Sequence, residues 1–93
     1  MKCTEVIRVR SAGSSAELLD ATLQDLMNAV AIEAQHDAIR IFRHEKLDAD
    51  ICIVLFHSRK KAQAGGSPLG LHLVAALREV GLVSHTIWNE IER

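Results

Sequence analysis

Apolar and polar residues alternate from Cys3 to Arg10, with Ile7 and Val9 on one face and Arg8 and Arg10 on the other, the two-residue period of a half-buried strand. Ser14, followed three residues later by Glu17, has the form of a capping box, in which each side chain satisfies a free backbone NH of a first helical turn. Leu19, Leu23, Leu26, Met27 and Val30 then recur at spacings of three and four, so the pattern predicts an amphipathic helix over about residues 15–34. Two β-rich runs, Ala38 to Glu45 and Asp50 to His57, are separated only by Lys46, Leu47, Asp48 and Ala49, a connection of hairpin length. Pro68, behind a Ser67 cap, opens a second helix whose apolar stripe is Leu69, Leu73, Ala76, Leu77 and Val80, with Gly81 as its expected stop. Alternation returns around Ile87 and Ile91 and predicts a fourth strand from Val83 to Ile91.

This order resembles the ferredoxin-like split βαβ arrangement, an α+β βαββαβ sandwich with two helices on one face of a four-stranded antiparallel sheet. The resemblance spans residues 1–93, read as one domain because a chain of 93 residues has room for one hydrophobic core. In that topology strands one and three are central. Strand parity assigns Ile7, Val9, Ile39, Ile41, Ile51, Ile53, Leu55 and Ile87 to the helix-covered core.

The opposite parity set contains Val6, Phe42, Cys52, Val54, Phe56 and Trp88, and with them every aromatic residue of the chain. A local slip of register or a bulge would turn some of these side chains inward. The other reading is that the outer face is covered, since apolar patches beyond a few hundred Å² are rare on soluble monomers. A second copy is the cover expected here, which makes the chain a homodimer or larger homo-oligomer with Val6, Phe42, Val54, Phe56 and Trp88 in the interface. Sheet-to-sheet pairing of that kind resembles the dimeric α+β barrel, a fold group that includes small oxygenases, isomerases and catabolic enzymes. Arg8, Arg40, His44 and Glu90 share this face by parity and would rim it or line a pocket between subunits.

Composition narrows the partners. Hydrophobic residues make up 48% and charged residues 25%, an ordinary globular balance that excludes disordered and collagen-like chains. A formal charge of -1 provides no global positive field for nucleic acid or an anionic membrane. Strand three, Asp50 to His57, also lacks the basic, glycine and paired aromatic residues of an RNA-recognition module, so nucleic-acid binding is disfavoured. Two cysteines without metal spacing point to a reducing compartment, and no apolar run reaches the roughly 18 residues of a membrane helix, so the expectation is a cytoplasmic protein.

The candidate chemistry is sparse. If Ile7 faces Ile53 on antiparallel central strands, Cys3 falls opposite His57, a cross-strand pair able to lower a thiol pKa. His85 shares the parity of Ile87 and needs a partner for its NH that the local sequence does not show, since Ser84 and Thr86 point the other way. His36, His44 and His72 complete the histidines, and His44-Glu45 lacks the second histidine of a zinc HExxH helix, so no metal site is expected. Arg59, Lys60, Lys61 and Ser67 lie before the second helix, where free NH groups and the helix dipole favour a small anionic ligand. The glycines of residues 65–70 lack the spacing of a phosphate loop, and no cofactor can be named. Two classes stay open: a ligand-binding dimer or cofactor-independent enzyme with a pocket between helices and sheet, and a regulatory or interaction domain without catalysis.

Overall fold

The computed structural model describes residues 3–11, 16–30, 39–47, 49–57 and 67–91. The elements run β1 (Cys3–Ser11), α1 (Ala16–Val30), β2 (Ile39–Arg43), β3 (Asp50–His57), α2 (Pro68–Leu77) and β4 (Gly81–Asn89). The strands form one antiparallel sheet in the order β2-β3-β1-β4, so β1 and β3 are central, as the ferredoxin-like reading requires. The register between them pairs Ile7 with Ile53 and Cys3 with His57.

Odd-numbered positions of β1 and β3 point to one side, and all but His57 are buried there against the helices. Ile7, Val9, Ile51, Ile53 and Leu55 meet Leu19, Leu23 and Leu26 of α1 and Leu73, Val74 and Leu77 of α2 in a continuous core. Helix α2 packs over β1 and β4. Its start follows the sequence: Ser67 adopts extended backbone, its hydroxyl accepts from the Gly70 amide at 3.0 Å, and Pro68 occupies the first turn, where no NH is needed.

Three details differ from the sequence reading. Ile41, assigned to the core by parity, is 39% exposed, because β2 is an edge strand bordered on one side only. Helix α2 ends at Leu77, and a turn closed by the Val80 amide on the Leu77 carbonyl precedes β4. Gly81 is therefore the first residue of β4 and not a helix stop. A Cβ there would lie 2.3 Å from the Arg10 carbonyl oxygen, so glycine serves the close approach of β4 to β1. The fourth strand accordingly begins two residues early, and Ile91, placed in it by alternation, lies beyond its end and is 86% exposed. The Ser14 cap, the expected extension of α1 to residue 34 and His36 fall outside the described residues.

Candidate functional site

Every odd-numbered side chain of β1 is buried, and one of them is a carboxylate: Glu5 is 0% exposed. Its backbone partners are Leu55 on β3 and Ile87 on β4. The residues diagonal to it on the same face, one on each neighbouring strand, are His57 and His85. Diagonal neighbours in a sheet lie about 7–8 Å apart, within reach of long side chains. His57 Nε2 is 2.7 Å from Glu5 Oε1, and His85 Nε2 is 2.8 Å from Glu5 Oε2. The Ser67 amide, at the N-terminus of α2, donates to Oε1 at 3.1 Å. The anion held at this helix start is thus the protein's own carboxylate.

An unpaired ionised carboxylate in a core costs several kcal/mol, which charge-assisted hydrogen bonds offset. Burial pushes the Glu5 carboxyl up, yet hydrogen bonding from Ser67, His85 and His57 outweighs it and holds the group below its ordinary value. An ionised carboxylate has lone pairs only, so each facing Nε2 must carry the hydrogen. In its neutral form each imidazole then keeps the Nδ1 lone pair as its basic site. The side chains of His57 and His85 are 16% and 14% exposed, so both rings reach the margin of the core while Glu5 does not.

Helix α2 is fitted to this cluster. A Cβ at position 70 would stand 2.0 Å from Glu5 Oε2 and 3.2 Å from Ser67 Oγ, so only glycine lets the helix start close over the carboxylate. Among the described residues no group of three or more His, Cys, Asp or Glu side chains is arranged to hold a metal ion. The short contacts here are those of hydrogen bonds.

The residues singled out from sequence are distributed as follows. Cys3 does stand opposite His57 in the register, but the imidazole goes to Glu5, a far stronger acceptor than a thiol, and the Cys3 side chain makes no hydrogen bond among the described residues. His85 gains as its partner a residue 80 positions away. Ser67 has its amide on Glu5 and its hydroxyl on Gly70, while Arg59, Lys60 and Lys61 lie outside the described residues. On the outer face Phe56 and Trp88 both pair with Thr4 and flank it, 46% and 63% exposed, with Val6 and Val54 next along the strands. Phe42, 52% exposed, stands opposite Cys52 toward the other end. Glu5 escaped the sequence reading, although its parity with Cys3, Ile7 and Val9 was a signal that could have found it.

The architecture has solved counterparts. Rv0793 from Mycobacterium tuberculosis superposes with a TM-score of 0.71 at 14% identity, over 100% of this chain and 98% of its own. An antibiotic biosynthesis monooxygenase gives 0.71 at 8% identity, over 97% of this chain and 99% of its own. SnoaB, a cofactor-independent oxygenase from Streptomyces nogalater, gives 0.68 at 18% identity, over 99% and 95%. At these identities the likeness is one of fold. No protein-family model matches the chain, and no curated protein sequence does. No helix of the described residues is long and apolar enough to cross a membrane.

Proposed function

We propose that the chain is a small-molecule enzyme that works by proton transfer, with His57 and His85 as the exchanging groups and Glu5 as the residue that positions them. The observation that carries this reading is the fully buried carboxylate with an imidazole on either side. Apolar residues of similar volume would stabilise a core at least as well as a buried ion pair, so stability alone does not account for the cluster. Chemistry does. A carboxylate on Nε2 fixes the tautomer and orientation of an imidazole and stabilises the imidazolium formed when Nδ1 takes a proton.

SnoaB, one of the solved counterparts, is a cofactor-independent oxygenase, and this reaction class is the one that fits the cluster. In such a reaction a base removes a proton from an electron-rich, enolisable substrate, and the resulting carbanion itself reduces dioxygen. The carbanion adds to dioxygen as a peroxide on the former methylene carbon; the second proton then leaves that carbon as the O–O bond breaks, which forms the carbonyl, and the departing oxygen leaves with the two protons as water. The histidines would take both protons from the carbon and return them to the departing oxygen. The enzyme acts as a homodimer joined through the half of the outer face that carries Phe56 and Trp88, in the cytoplasm; the exposed aromatics and the free thiols of Cys3 and Cys52 support these two points.

Oxygen uptake with a panel of enolisable aryl ketones that carry an activated methylene tests the reading. The wild type should exceed the uncatalysed rate, and a His57→Gln, His85→Gln double variant that retains its circular dichroism should fall to background. Equal uptake by the two proteins would remove the histidines from proton transfer and overturn the proposal.

A further inference from the structure

The outer face of the sheet is not uniform. Its half near the start of β1 is apolar, built on Val6, Val54, Phe56 and Trp88. Its other half is a concave cleft of about 410 Å³. Ligand pockets of roughly 300–1,000 Å³ suit a single small organic molecule.

The cleft has a floor, two walls and a closed end. Arg8 and Cys52 form the floor as cross-strand partners on the central strands. Phe42 on β2 and Leu82 on β4, at opposite edges of the sheet, are the walls, 52% and 80% exposed. Arg10 and Asp50 close the end and satisfy each other: the guanidinium donates from Nε at 3.0 Å and from Nη2 at 3.1 Å to the two carboxylate oxygens. Arg8 makes no hydrogen bond or close ion pair among the described residues. Arg10 and Asp50 cancel, and Arg43, also on the lining, is paired with Asp20, so Arg8 on the floor leaves the cleft net positive. His44, on the rim, accepts the amides of Lys46 and Leu47 at Nδ1 (3.0 and 3.1 Å), which places its hydrogen on Nε2 as a further donor. Phe42 beside the floor and Leu82 beside Arg10 leave apolar surface in water around the Arg8 guanidinium, which acts on Asp50 only at longer range and makes no hydrogen bond among the described residues; this matches a ligand with a flat apolar body and one negative charge.

We propose that this cleft is a second binding site, for a small aromatic monocarboxylate, with Arg8 taking the carboxylate and Phe42 and Leu82 packing on the ring system. It is separate from the Glu5 cluster, which lies on the opposite face of the sheet, and it exists within one chain, so it does not depend on the proton-transfer reading.

The test uses 2-naphthoate and its uncharged counterpart 2-naphthamide, with binding measured by calorimetry on the full chain. Cys52 provides an independent readout, because it lies on the cleft floor and is partly exposed, whereas Cys3 is buried at 1% exposure. Naphthoate should bind at least tenfold more tightly than the amide and should slow alkylation of Cys52. Arg8→Gln should weaken naphthoate at least tenfold, as loss of a charge-assisted hydrogen bond does. Arg8→Lys should recover part of the affinity, and Leu82→Asp, at an exposed edge position where folding is safe, should weaken it as well. Equal affinity for acid and amide, unchanged affinity in Arg8→Gln, or no binding at millimolar ligand would each overturn the proposal. Binding lost in His57→Gln but kept in Arg8→Gln would place the ligand at the Glu5 cluster and overturn it equally.

Discussion

Gly70 and Glu5 are fitted to each other: a Cβ at position 70 would lie 2.0 Å from Glu5 Oε2, the oxygen that also takes the hydrogen bond from His85. A carboxylate end usually swings away from such a collision at little cost. Glu5 has no such freedom, being 0% exposed and held by His57, His85 and the Ser67 amide. Gly70→Ala should therefore displace the carboxylate, break at least one of these bonds and destabilise the protein by about 1–3 kcal/mol. In a Glu5→Ala background the collision is gone and the penalty should shrink, giving a coupling of about 1 kcal/mol or more in a double-mutant cycle. Urea denaturation of the four proteins measures it; strictly additive effects would mean the two residues do not contend for the same space.

Acid stability should report the same carboxylate. Folding holds the Glu5 pKa below its ordinary value of 4.5, so the group contributes stability above that value, and the contribution is lost as pH falls through the lower folded-state pKa. Glu5→Gln leaves the histidines facing an amide and should cost about 1–3 kcal/mol at neutral pH. It should also flatten the fall in stability below pH 4.5. Some slope will persist, because hydrogen bonding from Arg10 lowers the Asp50 pKa as well and that group is lost in the same direction. Asp50→Asn added to Glu5→Gln should remove that remainder. Chemical denaturation from pH 7 to 3 decides it, and an unchanged acid slope in Glu5→Gln would show that folding does not lower the Glu5 pKa.

The part of this arrangement that depends on local period was legible in the sequence. Alternation on β1 and β3 was enough to set Ile7 against Ile53 and Cys3 against His57, and the Ser67-Pro68 pair marked the start of α2. What depended on contacts between distant elements was not. Glu5 belongs by parity to the same row as Cys3, Ile7 and Val9, but a glutamate four residues from the N-terminus reads as a solvated charge unless its neutralising partners are known, and those come from β3, β4 and the start of α2. His85 lacked a visible partner for the converse reason. Gly81 was read as a helix stop because its role is an approach to the Arg10 carbonyl, across a strand pair that no local pattern reveals.

The hydrogen-bond geometry fixes a tautomer that can be observed directly. With an ionised Glu5 accepting at both oxygens, His57 and His85 should each be protonated at Nε2 when neutral, and their Nδ1 nitrogens should show the chemical shift of an unprotonated, basic site. Long-range ¹H–¹⁵N correlation spectra at alkaline pH, where imidazoles are neutral, check this. In Glu5→Gln the side-chain amide offers a donor as well as an acceptor, so at least one ring should lose its preference and show a mixture of the two tautomers. Retention of both preferences in the variant would mean that something other than Glu5 sets them.

Phe56 and Trp88 test the outer face. They flank Thr4 from the two neighbouring strands and leave two large aromatic surfaces in water, 46% and 63% exposed in a single chain. A buried aromatic side chain removes roughly 150–250 Å² from solvent, so this pair with Val6 and Val54 offers several hundred Å² per subunit to a second copy. At about 25 cal/mol per Å², the gross gain from two such patches is of the order of the association cost, roughly 4–15 kcal/mol, and the quality of packing decides the rest. Light scattering at micromolar concentration should therefore give a dimer or larger assembly, with Trp88 emission shifted to the blue by burial. Phe56→Glu would place a charge within that patch, where burying it unpaired costs several kcal/mol, and should yield monomers. Trp88 emission should then move to the red, since among the described residues its indole NH is held by Thr86 Oγ1 alone, at 2.9 Å on an exposed strand. A wild-type protein that scatters as a monomer with red-shifted Trp88 emission would show this face open to solvent and remove the interface.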